Sequence, residues 1–490
     1  MRYTVLLILL ACTFEFHCQT SITLNAPKHP EKEVKLSKVI NFSTFRLEPI
    51  KKSWIDPNGL CHLKIVAKEA FLSVVEIDNE YGLLYIDPKT ENYDLLFLNE
   101  QENLNRLRKQ AIQLTFNNLP KNDLNTLILD FNLRLDYFLY GDTTSIIRMA
   151  KRNQEFSDSL AVFKEQLIPL YGSIKKRYLH NYIRYSIASI EQLANYKNLE
   201  KNRLINYNFY LKDMPVLYSN NAYMAFFNQF YEKVLSLPET SNEDKIKFAI
   251  NNYNSFEKLD LVLAEDYYLK DKRIRELAII NGLAEIYYNK YFNPNNILSI
   301  IKEIELKSQY DEHKKICHYL LQTLTRLNKG TKAPEILLKN QFREEISLSK
   351  QNKPTYITFF SSKNPKSIMD MEIIKSLYSK YKKSISFISI SIDEKKSDYL
   401  NFTKNYSDYK WSICHYEFNY QLIEDYQLKN LPTYILIDKD GKIDQAPAYS
   451  PVPDGNNNSI DKTFFYISKS GEYKGDFNVG KKDVFIGDKQ

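Results

Sequence analysis

The sequence predicts a multidomain α+β protein with a small N-terminal antiparallel β domain, an α-helical middle region and a C-terminal α/β domain. Three observations predict it. Short apolar runs punctuated by Asn-Gly and Asp-Pro fill the chain up to about Leu98, apolar residues then recur at helical spacing, and from Gly330 strand-like and helix-like runs alternate. With 490 residues the chain has room for two to four domains at roughly 100–200 residues each. Hydrophobic residues at 43% and aromatics at 14% exclude wholesale disorder. The 67 Lys+Arg and 60 Asp+Glu leave only +7, which gives no concentrated basic field, so nucleic acid is excluded as a partner. Glycine is scarce, 12 of 490 against an average near 7%, and no GxGxxG or P-loop run exists to cradle a nucleotide.

Residues 1–18 are expected to be an export signal. Arg2 precedes the apolar run from Tyr3 to Ala11, far shorter than the roughly 20 residues of a bilayer span. Leu9-Leu10-Ala11-Cys12 resembles a lipobox, which makes Cys12 a lipidation candidate and implies a lipid anchor. Ordinary signal cleavage near Cys18-Gln19 is the preferred reading of the two, because Thr13-Phe14-Glu15-Phe16 is a weakly polar tether. Both readings place the mature protein in the periplasm or at the outer membrane of a Gram-negative-type envelope. No other stretch is apolar enough for a transmembrane span.

Residues 19–99 form the expected β domain. Cys61 to Val66, Ala70 to Glu76 and Leu83 to Ile86 are strand-like, and Asn58-Gly59 is a turn between strands. Residues 100–329 are expected to be helical. Leu179, Ile183, Ile187, Ile190 and Ala194 share one helix face, as do Met224, Phe227, Tyr231 and Val234. No 34-residue repeat recurs. The many tyrosines of this region are expected at the rims of helical cores, with rings buried and hydroxyls wet.

Residues 330–467 are expected to form the α/β domain. Pro354 to Phe360 is a strand, Ser367 to Tyr381 a helix, Ser384 to Ile392 a strand, Ser397 to Tyr406 a helix and Tyr420 to Tyr426 a short helix. Thr433 to Ile437 is a strand that ends in the turn Asp438-Lys439-Asp440-Gly441-Lys442. Asp393-Glu394 is expected to bond locally at a strand end. Residues 468–490 are polar, a tail or an added edge hairpin.

Gly330-Thr331-Lys332-Ala333-Pro334-Glu335, the strand ending Phe359-Phe360, Leu431-Pro432-Thr433 and Ile435 to Lys442 resemble the TlpA/ResA-like branch of thioredoxin-fold bacterial envelope proteins. The resemblance covers under a third of the chain. It implies that Pro432 is a cis-proline and that Leu431, Pro432 and Thr433 flank a groove where an extended polypeptide pairs with the backbone. It also implies a CxxC at the start of the helix after Phe360, where the helix N-terminus favours thiolate. The chain reads Lys363-Asn364-Pro365-Lys366-Ser367 there. Ungapped, the cysteine positions fall on Asn364 and Ser367; anchored on Pro365, they fall on Lys363 and Lys366. Neither alignment supplies a thiol, and serine can neither ionise near neutrality unaided nor form a disulfide.

The cysteines of the whole chain are Cys12, Cys18, Cys61, Cys317 and Cys414, with no CxxC among them. Cys414 is the candidate lone thiol, against a reading as a small buried hydrophobe. His313 and Cys317 stand at i, i+4 on a helix, but two ligands make no metal site, so neither metal nor cofactor is expected. The expected function is therefore a non-catalytic binding or scaffold role in the envelope, with an extended polypeptide or an envelope protein as partner. The alternative is a thiol-disulfide oxidoreductase or peroxidase-like enzyme using Cys414.

Overall fold

The computed structural model describes residues 19–42, 46–98, 107–194, 198–236, 242–453 and 458–470. The expected signal at 1–18, with the lipidation candidate Cys12, and the tail beyond residue 470 lie outside the described residues. The chain divides into two compact units, one containing Lys109–Thr323 and the β-rich region before it, the other containing Leu324 onward with the short segment at 105–108.

The first unit begins with strands β1 (Gln19–Asn25), β2 (Glu33–Asn41), β3 (Arg46–Trp54), β4 (Leu60–Val66), β5 (Phe71–Ile77), β6 (Glu80–Ile86), β7 (Asn92–Leu96), β8 (Gln110–Ile112) and β9 (Thr115–Asn117). They form two sheets, ordered β4-β1-β7-β9 and β3-β2-β5-β6-β8. Alternation fixes which face is buried: in β4, Cys61, Leu63 and Ile65 point inward between exposed neighbours. Their partners come from both sheets, including Ile22, Leu24, Leu36, Val75 and Leu95, so the sheets enclose one core. Strand β5 is buried along its whole length because its other face, Leu72 and Val74, packs beneath Val39, Tyr81 and Tyr85.

Two features depart from the expected antiparallel domain. The pairs β1·β7 and β6·β8 are parallel, and β8 and β9 lie beyond residue 99, in the stretch expected to be helical. Three-residue strands are too short to show a period of two, so only their partners define them. At the turn before β4, Gly59 has φ +84°, and a Cβ there would lie 2.8 Å from Pro27 Cα.

Helices follow: α1 (Leu124–Tyr140), α2 (Thr143–Lys151), α3 (Gln154–Tyr171), α4 (Arg177–Ala194), α5 (Leu199–Asn206) and α6 (Asn221–Phe230). The series continues with α7 (Glu243–Phe248), α8 (Phe256–Leu263), α9 (Lys272–Ile286), α10 (Pro294–Lys307) and α11 (Asp311–Thr325). Sheet and helices are joined by polar bonds. The Asn125 side chain donates to the Tyr85 carbonyl and accepts from its N–H, both at 2.8 Å, completing the backbone of β6 where its neighbour strand has ended. Lys176 pairs with the buried Asp87.

The buried side of α4 is Leu179, Tyr182, Tyr185, Ile187 and Ala188, while Ile183 and Ile190 are only half-buried. Several tyrosines of this region are thus core residues whose hydroxyls bond within the protein, while Tyr137, Tyr140, Tyr253, Tyr288 and Tyr291 remain exposed. Tyr185 donates to the Tyr210 carbonyl at 3.0 Å, Tyr210 to Glu191 at 2.6 Å and Tyr231 to the Tyr268 carbonyl at 2.8 Å.

The second unit is the thioredoxin-like α/β domain. A hairpin of β10 (Leu337–Lys339) and β11 (Glu345–Ser347) precedes β12 (Thr355–Phe360), α12 (Pro365–Tyr381), β13 (Ser386–Ser391) and α13 (Lys396–Asn405). Then come β14 (Ser412–His415), α14 (Tyr420–Asp425), β15 (Thr433–Ile437), β16 (Ile443–Gln445) and α15 (Ile460–Ser470). The sheet runs β14-β13-β12-β15-β16, with β12, β13 and β14 parallel and β15 and β16 antiparallel. Residues of α12, α13 and α15 pack on one face; Leu338, Leu348 and residues of α14 pack on the other. With both faces covered, all six residues of β12 are buried. Among the described residues no helix is long and apolar enough to cross a membrane.

Candidate active site

The site lies where β12 hands over to α12. The loop Ser361 to Asn364 leaves β12, and the register Phe359↔Thr433 between β12 and β15 sets Pro432 beside it. The Leu431–Pro432 peptide is cis. Pro365 occupies the first turn of α12, where its missing N–H is not needed, and Asn364 is the N-cap.

Asn364 joins the two halves of the site. Its side-chain oxygen accepts from the Ser367 N–H at 3.1 Å, and its amide nitrogen donates to the Leu431 carbonyl at 3.1 Å. A sulfur on this residue would receive the same N–H at the positive end of α12, the setting that stabilises thiolate. Asn364 instead fills it with a neutral group that cannot ionise. Ser367, one turn on, is 1% exposed, and its hydroxyl lies 3.5 Å from the Ser361 nitrogen. Lys363 and Lys366 point to solvent, and Lys363 reaches Asp398 at 2.7 Å.

Asp393, expected only to bond locally at a strand end, is part of this site. Its N–H does bond locally, to the Ser391 hydroxyl, but its buried carboxylate reaches across to the loop after β12. It accepts from the Ser361 hydroxyl at 2.7 Å, the Ser362 N–H at 2.9 Å and the Ser391 hydroxyl at 2.6 Å. The only sequence signal is a carboxylate at the end of a parallel strand adjacent to β12. His415, fully buried on the next strand, holds the Asp393 backbone: its Nδ1 accepts from the Glu417 N–H at 3.0 Å, which leaves Nε2 to donate to the Asp393 carbonyl at 2.8 Å. The loop is thus pinned from below and contains no thiol.

The other candidate residues lie elsewhere. Cys414 is on β14, fully buried among Ile390, Leu338 and their neighbours, and burial pushes its thiol up to about 12. Such a thiol is protonated at neutral pH and inaccessible to a substrate. Burial likewise raises Cys61 and Cys317. His313 is engaged by Glu276 and by the Tyr218 hydroxyl, each at 2.7 Å. Among the described residues no group of three or more His, Cys, Asp or Glu is arranged to hold a metal ion.

Residues 352–443 match the family model described as thioredoxin-like. Over 116 residues the chain is 30% identical to thiol-disulfide oxidoreductase ResA of Bacillus cereus (strain ZK / E33L), covering 23% of this chain and 66% of that protein. Over 118 residues it is 30% identical to thiol-disulfide oxidoreductase ResA of Bacillus thuringiensis subsp. konkukian (strain 97-27), covering 24% and 67%. The chain thus spans about two thirds of the length of these curated relatives. Among solved structures, a thiol-disulfide oxidoreductase from Bacteroides fragilis NCTC 9343 aligns at 22% identity and a TM-score of 0.24, over 28% of this chain and 99% of that one.

Proposed function

Because this chain belongs, through its C-terminal domain, to the thioredoxin-like family that includes the ResA thiol-disulfide oxidoreductases, we propose that it is an exported member that has given up dithiol exchange and works by binding. The observation that carries this reading is Asn364, which caps α12 and bonds the Leu431 carbonyl; in the ungapped alignment it takes the place of the thiolate. In the same alignment Ser367 takes the place of the second thiol. The ligand is an extended polypeptide held beside Pro432 by backbone pairing, a mode that needs no covalent step. Binding must share or displace the Asn364 bond at Leu431, since that carbonyl already accepts one donor. The apolar run after Arg2 supports export to the envelope.

Insulin reduction tests the loss of chemistry. The wild-type protein should show no turnover above the dithiothreitol background, and the double variant Asn364→Cys/Ser367→Cys should gain it, since the helix N-terminus that favours a thiolate remains. Turnover by the wild type that vanishes in Cys414→Ser would overturn the proposal. Binding is tested by titrating a library of unfolded peptides, where Pro432→Ala should weaken saturable binding several-fold.

A further inference from the structure

Within the first unit, between the second β sheet and the helices, lies a cleft of about 830 Å³, a size typical of small-molecule sites. Its walls carry six cationic and four acidic side chains. Three of the acids are already neutralised: Glu69 by Lys38 at 3.2 Å, Asp87 by Lys176, and Glu312 by Arg273 at 3.0 Å. On the basic side, Lys89, Lys175, Arg177 and Lys315 make no side-chain ion pair or hydrogen bond among the described residues, and Glu48 is the one acid left unpaired to oppose them. Arg46 adds a cation at the margin, stacked 4.8 Å from the ring of Tyr319, which lines the cleft.

The backbone reinforces this surplus. Helices α4 and α6 both begin at the cleft wall, and neither has an acidic residue in its first turn. The positive end of a helix ordinarily attracts Asp or Glu, yet α4 opens behind Lys175-Lys176-Arg177. Helix α1 also starts here, but its N-cap Asp123 offsets its dipole. Two helix ends without an acidic first turn and four unpaired cations repel one another across the cleft, and an anion between them turns that repulsion into attraction. The side chains of Tyr178 and Tyr319 provide flat walls beside the charges.

We propose that this cleft binds a compact molecule bearing at least two anionic groups, phosphate, sulfate or carboxylate, carried on one small framework. The site lies in the first unit and is independent of the thioredoxin-like domain and its groove.

Calorimetric titration of the full chain with inorganic tripolyphosphate, with a sulfated disaccharide and with uncharged lactose tests it. Saturable one-to-one binding of at least one anion is expected, weakened at least tenfold in Lys175→Ala/Arg177→Ala/Lys315→Ala. These three side chains are exposed and unpartnered, so the variant should retain the wild-type melting temperature. The variant Lys201→Ala/Lys258→Ala/Lys272→Ala, which removes the same charge elsewhere in the unit, should bind like wild type. Tighter binding of tripolyphosphate would assign the site to a phosphorylated ligand, and of the disaccharide to a sulfated sugar. Absence of saturable binding by both anions, equal weakening in the two triple variants, or lactose binding as tight as the anions would overturn the proposal.

Discussion

Single residues decide what this thioredoxin-like domain can do. Asn364 accepts the Ser367 N–H at the start of α12, a bond that a thiolate there could also accept, and its side chain carries no ionisable group. The sequence reveals that substitution directly, because the missing cysteines can be counted. It does not reveal the role of Asp393, whose partners Ser361 and Ser362 lie more than thirty residues away and become neighbours only when β12 and β13 pair. The tyrosines teach the same lesson. A tyrosine on an amphipathic helix looks like a rim residue, but whether its hydroxyl meets water or a carboxylate depends on the next helix. Tyr171 donates to Asp130 at 2.5 Å, and Asp130 also accepts from Arg134. The hydrogen bond from Arg134 is the main cause that holds the Asp130 carboxyl below its ordinary value of 3.8, opposed by desolvation and aided by Tyr171. A lowered folded-state value means the stabilisation is complete above the unfolded value and disappears as pH falls through the folded one. Wild type should therefore lose more melting temperature between pH 6 and pH 3 than Asp130→Asn, as followed by circular dichroism; equal losses would contradict this.

Elements with a long, consistent pattern were legible. Strand β12, helix α12 and strand β15 lie within a few residues of where alternation and punctuation put them, because a buried strand flanked by proline and a helix opening on Asn-Pro carry their own local signals. Helix α15 was not foreseen. Its run Ile460-Asp461-Lys462-Thr463-Phe464-Phe465-Tyr466-Ile467 mixes aromatic and charged residues, and it is the sheet face that selects Ile460, Phe464 and Ile467 as the buried stripe. Phe464 makes edge contacts with Tyr356, Tyr381 and Phe387. Phe464→Ala should thus destabilise the C-terminal unit by about 3–5 kcal/mol, measured as a lowered denaturation midpoint of that unit. A change below about 1 kcal/mol would mean that the helix is not part of the core.

For the molecule as a whole, the β-rich and helical regions form one unit, tied by Asn125 to Tyr85, Lys176 to Asp87 and Asn221 to the Tyr85 hydroxyl at 3.1 Å. Hydrogen exchange read by mass spectrometry should show peptides of β5, β6, α1 and α4 losing protection together in rising denaturant. Loss from the strands well before the helices would show two separate modules. The sequence alone determined the order of β-rich, helical and α/β regions, the resemblance of the last and the absence of its dithiol, since these depend on local period, punctuation and residue identity. Only the tertiary structure decided that Cys414 is sealed in a core, that Asn364 and Asp393 hold the loop beside Pro432, and that residues from Lys38 to Tyr319 converge on one basic cleft. Burial, electrostatic surplus and hydrogen-bond partnership are properties of residues distant in the chain, and no local pattern encodes which of them will meet.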